Sequence, residues 1–180
     1  MTLRIVGMVA IALGPAVPTA LAQSLQRLSL QGSGAVLIAT RNDPDFDSKT
    51  RLGWEAQARY TFGRLSLGGG YQRSTVFAFT EGNPPPTIAL SFGFLEPRLV
   101  VAARRGIALY LAGRIGIGTL VSASSDFNIE GTNMGYGGGA GLLFRVNSRF
   151  SVDLGAQYFE VRGLLPSGYA MARAGLGLGL

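Results

Sequence analysis

The stretch RLGWEAQARYTF, residues 51–62, alternates between apolar and polar side chains along its whole length. Successive side chains of a β-strand point to opposite faces, so this stretch predicts a strand with one apolar and one charged face. The apolar set is Leu52, Trp54, Ala56, Ala58, Tyr60 and Phe62, and the polar set is Arg51, Gly53, Glu55, Gln57, Arg59 and Thr61. A soluble barrel and a membrane barrel place opposite faces inward, and the function depends on which face that is.

The same alternation predicts eight strands along the chain. They fall at about residues 26–38, 50–62, 65–75, 87–102, 107–119, 134–146, 149–160 and 169–180. Period-two alternation favours half-buried strands over helices, although the leucine and alanine content alone would suggest helix. Short turns at 63–64, 103–106 and 147–148 alternate with four long polar connections. This rhythm predicts an up-and-down antiparallel meander, with the short turns at one end and the long loops at the other.

The first residues, MTLRIVGMVAIALGPAVPTALAQ, combine one early cation, a short apolar stretch and a small-residue site. Arg4 supplies the cation, and Ala20 and Ala22 flank Leu21 at the site. This pattern predicts a secretory signal peptide over residues 1–22. Its apolar part is shorter than the roughly 20 residues that a membrane-spanning helix needs. Residues 23–180 then suit a single barrel domain.

The composition removes several kinds of chemistry. The chain has no cysteine and no histidine, which excludes thiol chemistry and the commonest general base and metal ligand. Without Arg4, 15 basic residues face 10 acidic ones, a net charge of +5, and Lys49 is the one lysine. Soluble proteins usually carry lysine and glutamate in quantity on their surfaces. We therefore expect no enzymatic activity, no catalytic residue and no cofactor.

The sequence favours neither a calcium ion nor a nucleic acid as a partner. Asp43, Asp45 and Asp47 alternate as in a calcium loop, but Ser48 and Trp54 occupy the places where that loop needs glycine and glutamate. We interpret them as a solvated acidic loop and expect no metal site. The positive charge does not form a basic stripe, and the predicted signal peptide implies export, so no nucleic-acid partner is expected.

Aromatic residues recur eight positions apart on the apolar face. The pairs are Trp54 with Phe62, Tyr136 with Phe144, and Phe150 with Tyr158. Eight strand residues at a tilt of about 40° project to roughly 20 Å, close to the ~25 Å apolar band between the aromatic girdles of membrane barrels. One member of each pair lies beside a short turn and the other toward a long loop. These six residues are therefore predicted to lie at the two membrane interfaces.

The polar face carries small residues and charges together. Its small residues include Gly68, Gly70, Gly116, Gly118, Gly137, Gly139, Gly141, Gly175, Gly177 and Gly179. An eight-stranded barrel is only wide enough for side chains to fill, so glycine on this face predicts a crowded interior. Its charges are Glu55, Arg59, Glu96, Arg98, Arg114, Arg145, Asp153 and Arg173. Buried charges need partners, which predicts a network of arginine–carboxylate contacts, with the two surplus arginines bonding Gln57, Gln157, Tyr110 or water.

The segment FGFLEPRLVV, residues 92–101, departs from the simple pattern. Phe92 and Phe94 share parity with Glu96 and Arg98, and Pro97 cannot donate a ladder hydrogen bond. A β-bulge near residue 95 would separate the aromatic side chains from the charged ones. We predict such a bulge.

With these features in place, the chain resembles the small eight-stranded outer membrane β-barrel families, the OmpA transmembrane domain and OmpX-like proteins. The resemblance is carried by FLEPRL, LYLAGRIG and GYGGGAGLLFRVNSRFSVDLGAQYF. It implies an all-β, antiparallel, up-and-down transmembrane barrel in the cell outer membrane, inserted by the barrel-assembly machinery. It also implies a monomer surrounded by outer membrane lipids, with a structural or surface-interaction role and an unknown loop ligand. Such barrels commonly end in phenylalanine, whereas this chain ends in Leu180.

Two alternatives stay open at this point. One is a soluble periplasmic lipocalin-like barrel that binds an apolar ligand, because such a barrel also alternates. The other is a narrow pore through the membrane barrel.

Overall fold

The computed structural model describes residues 27–40, 51–78, 87–122, 132–162 and 168–180. The predicted signal peptide and Asp43, Asp45 and Asp47 lie outside them. Eight antiparallel strands close into a barrel in which each strand pairs with the next and the last pairs with the first. The strands are β1 (Leu28–Ala39), β2 (Arg51–Phe62), β3 (Leu65–Ala78), β4 (Thr87–Arg104), β5 (Ile107–Ser122), β6 (Thr132–Arg145), β7 (Phe150–Val161) and β8 (Gly168–Gly179). In the described part of the chain, no helix is long and apolar enough to span a membrane.

The three short turns lie together at one end of the barrel. Gly63 and Gly106 have positive φ angles of 65° and 85°, and Arg105 between β4 and β5 has a φ of 46°. Tight two-residue hairpins need such angles because their twist then matches that of the strands. In the third turn, the Asn147 side-chain oxygen accepts hydrogen bonds from the backbone N–H groups of Arg149 (2.8 Å) and Phe150 (2.7 Å). The strand ends that lead into the four long connections therefore lie at the opposite end of the barrel.

The apolar side chains face outward. In β2, Glu55, Gln57 and Arg59 are buried, whereas Trp54 and Tyr60 are exposed. The same arrangement runs around the barrel, where the exposed large hydrophobic residues include Leu67, Leu99, Leu111, Ile117, Leu154 and Leu176. A soluble barrel buries such side chains and exposes its charges. The structure therefore confirms the transmembrane type of barrel, with its apolar face outside.

The predicted bulge near residue 95 is wrong. The pairing of β4 with β3 runs without a shift from Phe92 to Leu99, and Phe92 and Phe94 are buried on the same face as Glu96. The irregularity of β4 against β5 lies between Val100 and Ala102, close to the short turn. The interior accepts the two rings because neighbouring strands carry glycine there, as described below.

Buried side chains form two layers inside the barrel, and a cavity lies on the short-turn side of them. Toward the long loops, an apolar cluster is formed by Ala35, Leu37, Leu90, Phe92, Phe94, Phe159, Val161, Tyr169 and Met171. Buried charged residues follow at mid-height. Toward the short turns, the interior opens into a small cavity. We call the apolar cluster the apolar cap, the buried charged residues the charged middle, and the end of the barrel that holds the cavity the mouth. They follow one another in this order along the barrel axis.

The inner face of β6 carries glycine where a larger side chain would not fit. A side chain at Gly139 would place its Cβ 2.6 Å from the Gln157 Cα, whereas Gly32 on the outer face of β1 has no atom within 4 Å of that position. We expect Gly139→Ala to lower the free energy of unfolding by about 1–3 kcal/mol through overpacking. Gly32→Ala should be neutral or raise it by up to about 1 kcal/mol, because strand glycine loses more entropy on folding.

Urea unfolding of both variants in lipid vesicles, followed by tryptophan fluorescence, measures this difference. Equal losses of stability for the two variants would contradict a crowded interior and an open outer wall.

Candidate functional site

The centre of the barrel holds a fully buried carboxylate, that of Glu96 in β4. Its Oε1 accepts hydrogen bonds from Arg59 (2.9 Å), Arg98 (2.8 Å) and Arg173 (3.0 Å). Its Oε2 accepts from the Nε of Arg114 (2.9 Å) and from Nη1 of Arg173 (2.9 Å). Four guanidinium groups from β2, β4, β5 and β8 therefore share one carboxylate.

A second carboxylate links two of these arginines above the centre. Glu55 in β2 accepts from Arg114 Nη2 (2.9 Å) at one oxygen and from Arg173 Nη1 (2.9 Å) at the other. Arg114 also donates to the Gln72 side-chain oxygen (2.8 Å) and lies over the Phe94 ring, 3.8 Å from its centroid. Arg114 is thereby held by the charged middle and by the apolar cap at once.

The third carboxylate lies on the turn side of the centre. Asp153 in β7 pairs with Arg98 Nη1 and accepts a hydrogen bond from the Tyr110 hydroxyl (2.7 Å). The Arg98 guanidinium lies over the Tyr110 ring, 4.4 Å from its centroid. Charge-assisted bonds of this kind are about twice as strong as neutral ones, so the three groups fix one another.

Amide side chains occupy the remaining hydrogen-bonding positions. Gln57 accepts from Arg59 (2.7 Å), which is also paired with Glu96, and donates to Gln31 (3.1 Å). Gln157 serves a carboxylate instead, because its amide donates to Glu96 (2.9 Å). Gln157 differs from the prediction because it points across the lumen from β7 at the Glu96 carboxylate, so its amide N–H reaches a carboxylate oxygen.

Ion pairs join the following predicted interior charges to one another: Glu55, Arg59, Glu96, Arg98, Arg114, Asp153 and Arg173. We call these seven residues the ion-pair network. The eighth, Arg145, is half-buried and lines the cavity at the short-turn end. Each carboxylate of the network is occupied by guanidinium donors, so none is available as a general base. Among the described residues, no cluster of acidic side chains could hold a metal ion.

The six predicted interface aromatics lie on the outer wall. Trp54, Phe62, Tyr136, Phe150 and Tyr158 are exposed, and Phe144 is half-buried. Near the long loops, the hydroxyls of Tyr136 (3.1 Å) and Tyr158 (3.0 Å) both donate to the Glu160 carboxylate. Rings with a polar tip suit the boundary between hydrocarbon and headgroups.

The residues of the apolar cap were not predicted from the sequence to lie inside the barrel. Phe159 and Val161 are an even number of positions from Asp153 on the same strand, so their side chains point to the same face. The same holds for Tyr169 and Met171 relative to Arg173. The Phe159 ring stacks on the Tyr169 ring with a centroid distance of 5.4 Å. Its centroid lies 6.2 Å from that of the Phe92 ring. Strict parity, applied to the upper ends of the strands as well as to their middles, was the signal that pointed to these residues.

The structure was compared with known proteins. No family model matches the chain, and no curated protein does either. Among solved structures, Neisserial surface protein A is 15% identical with a TM-score of 0.68, covering 85% of this chain and 97% of that one. The chain has the fold of the small outer-membrane β-barrels. At this level of identity the likeness concerns the fold alone.

Two further outer-membrane barrels show the same likeness. Ail of Yersinia pestis, solved in complex with the heparin analogue sucrose octasulfate, is 17% identical with a TM-score of 0.55, covering 84% of this chain and 95% of Ail. The N-terminal β-barrel domain of Pseudomonas aeruginosa OprF is 16% identical with a TM-score of 0.53, covering 86% of this chain and 98% of that domain.

Removing the central carboxylate of this outer-membrane-type barrel should be costly. Glu96→Gln leaves four arginines around an uncharged amide, and breaking a buried ion pair from one side costs about 3–5 kcal/mol. Glu160→Gln is the matched control, because its carboxylate is on the outer wall and bonds two tyrosine hydroxyls. We expect the control to change the unfolding free energy by less than about 1 kcal/mol.

Guanidinium unfolding in detergent micelles, compared between the two variants, checks this prediction. A Glu96→Gln protein as stable as Glu160→Gln would show that the network does not hold the barrel together.

Proposed function

We propose that the chain is a non-enzymatic integral protein of the cell outer membrane, with a structural or surface-interaction role. One observation carries the proposal: apolar side chains form the exposed wall while the ion-pair network is buried. Such a wall is stable when lipid acyl chains cover it, and outer membrane lipids are the partners that this implies.

The orientation proposed for the barrel follows from its two ends. In bacterial outer-membrane barrels, short turns face the periplasm and long loops face outward. The turns at Gly63, Arg105 and Asn147 would then be periplasmic, together with the last residue. Leu180 is exposed on the apolar wall and its N–H donates to the Leu28 carbonyl (2.9 Å), so the pairing of β8 with β1 extends to this residue. Insertion by the barrel-assembly machinery remains part of the proposal.

The interior supports a closed barrel and no open pore. The apolar cap blocks the lumen below the long loops, and the ion-pair network crosses it at mid-height. Eight strands leave no room for a channel beside these side chains. The same buried charges argue against an apolar ligand inside, as a soluble lipocalin-like barrel would require.

A role at the cell surface would depend on the four long connections. Loops on a rigid scaffold are the usual carriers of specificity. Ail, with the same fold, binds a heparin analogue, and we propose that surface interaction of this general kind is open to the loops. The saturated carboxylates and the lack of histidine support the non-enzymatic part of the proposal.

Cell fractionation with gel mobility tests the location. We expect the mature chain in the outer-membrane fraction, with a different mobility before and after boiling, because a closed barrel resists unfolding by detergent until heated. A wholly soluble periplasmic species with one mobility would overturn the proposal.

Planar-bilayer recording tests the closed interior. The inserted wild-type barrel should show no single-channel steps, since the cap and the network fill the lumen. Heat-modifiable mobility of the same preparation verifies insertion, so that silence reflects a closed barrel. Reproducible steps from the wild-type protein would support a narrow pore instead.

A further inference from the structure

A cavity of about 100 Å³ lies in the mouth of the barrel at the short-turn end. Its floor is the turn side of the ion-pair network, and its rim is made by the three turns. The floor includes Arg59, Arg98 and Tyr110, and Ser66 and Thr61 line the wall. Room of this size holds several water molecules and therefore a group of several heavy atoms.

Arginine dominates the charge of this cavity. The arginines that line it are Arg59, Arg64, Arg98, Arg104, Arg145 and Arg149, and no lining residue is acidic. Arg64, Arg104 and Arg149 are exposed at the rim, one beside each turn. At the floor, the buried Arg59 Nε donates to no acceptor among the described residues. A pocket lined by one sign of charge attracts and concentrates the opposite sign.

The cavity also has an apolar side. Val100, Ala103 and Leu143 line it between the arginines, and Phe150 lies both at its edge and on the exposed outer wall. The rim of the cavity therefore lies beside the edge of the apolar belt, where lipid headgroups are found. A bound molecule with an anionic group and a short apolar portion would match both sides.

We propose that this cavity binds the phosphate group of an anionic phospholipid from the adjacent leaflet. Guanidinium groups donate two parallel hydrogen bonds to phosphate oxygens and keep their charge at all physiological pH values. Arg64 and Arg104 hold the phosphate at the rim, the Arg59 Nε lies at the floor, and the aliphatic wall contacts the glycerol and the first acyl carbons. This site is separate from the function proposed above, since a closed outer-membrane barrel needs no such ligand.

The test uses the mature full-length chain, folded in an uncharged detergent, and native mass spectrometry. Probes of equal acyl length are phosphatidylglycerol and phosphatidylcholine, with inorganic phosphate as the free anion. Arg64→Gln/Arg104→Gln removes two rim cations that line the cavity. Arg27→Gln/Arg105→Gln is the matched control, because it removes two exposed arginines at the same end that do not line it. Heat-modifiable mobility verifies that both variants are folded.

We expect the wild type to retain one phosphatidylglycerol in preference to phosphatidylcholine, and the control to do the same. The cavity variant should lose about tenfold or more in retention, the effect of removing charge-assisted hydrogen bonds. Retention should also fall as salt is raised, because the rim cations are exposed.

Three results would overturn the proposal. One is an equal loss in both double variants, which would indicate general attraction to a basic end. Another is equal retention of the two lipids. The third is capture of inorganic phosphate without retention of phosphatidylglycerol, which would assign the cavity to a free anion.

Discussion

The structure depends on the burial of the Glu96 carboxylate among four arginines. A charge removed from water is tolerated only when it is paired and hydrogen-bonded, so the strands that supply the partners must meet around one point. Replacing such a network by apolar residues is often neutral for stability, so its value is better sought in specificity. A one-residue slip of a strand would turn its arginine toward lipid, at a cost of about 2–4 kcal/mol near the bilayer centre.

The axial layering gives each part of the barrel a separate task. The apolar cap lies nearest the long connections, the ion-pair network lies at mid-height, and arginines gather in the mouth at the short-turn end. Outside, one continuous apolar wall surrounds all three layers. The exposed arginines at the short-turn end are the part of this arrangement on which the proposed lipid site depends.

The strands and their facing could be predicted because alternation is a local property. Each side chain of β2 faces as its parity requires, from buried Glu55 to exposed Phe62. Parity with Glu96 also places Phe92 inside the barrel, but alternation could not show that the interior has room for its ring there. Its ring lies against Gly118 and Gly135, where any Cβ would come within 2.9 Å and 2.7 Å of ring atoms. Which glycines stand opposite a given ring depends on pairing between strands distant in sequence, and the same holds for the partners that each arginine selects.

Whether the apolar face contacts lipid can be measured most directly with the chain's single tryptophan. Trp54 is 51% exposed on the apolar wall, near the long-loop end. In vesicles of phosphatidylcholine brominated near the headgroup, its fluorescence should be strongly quenched relative to unbrominated vesicles, while aqueous iodide should have little effect. Emission that brominated lipid leaves unchanged would place this ring away from the acyl chains and contradict an apolar face turned toward lipid.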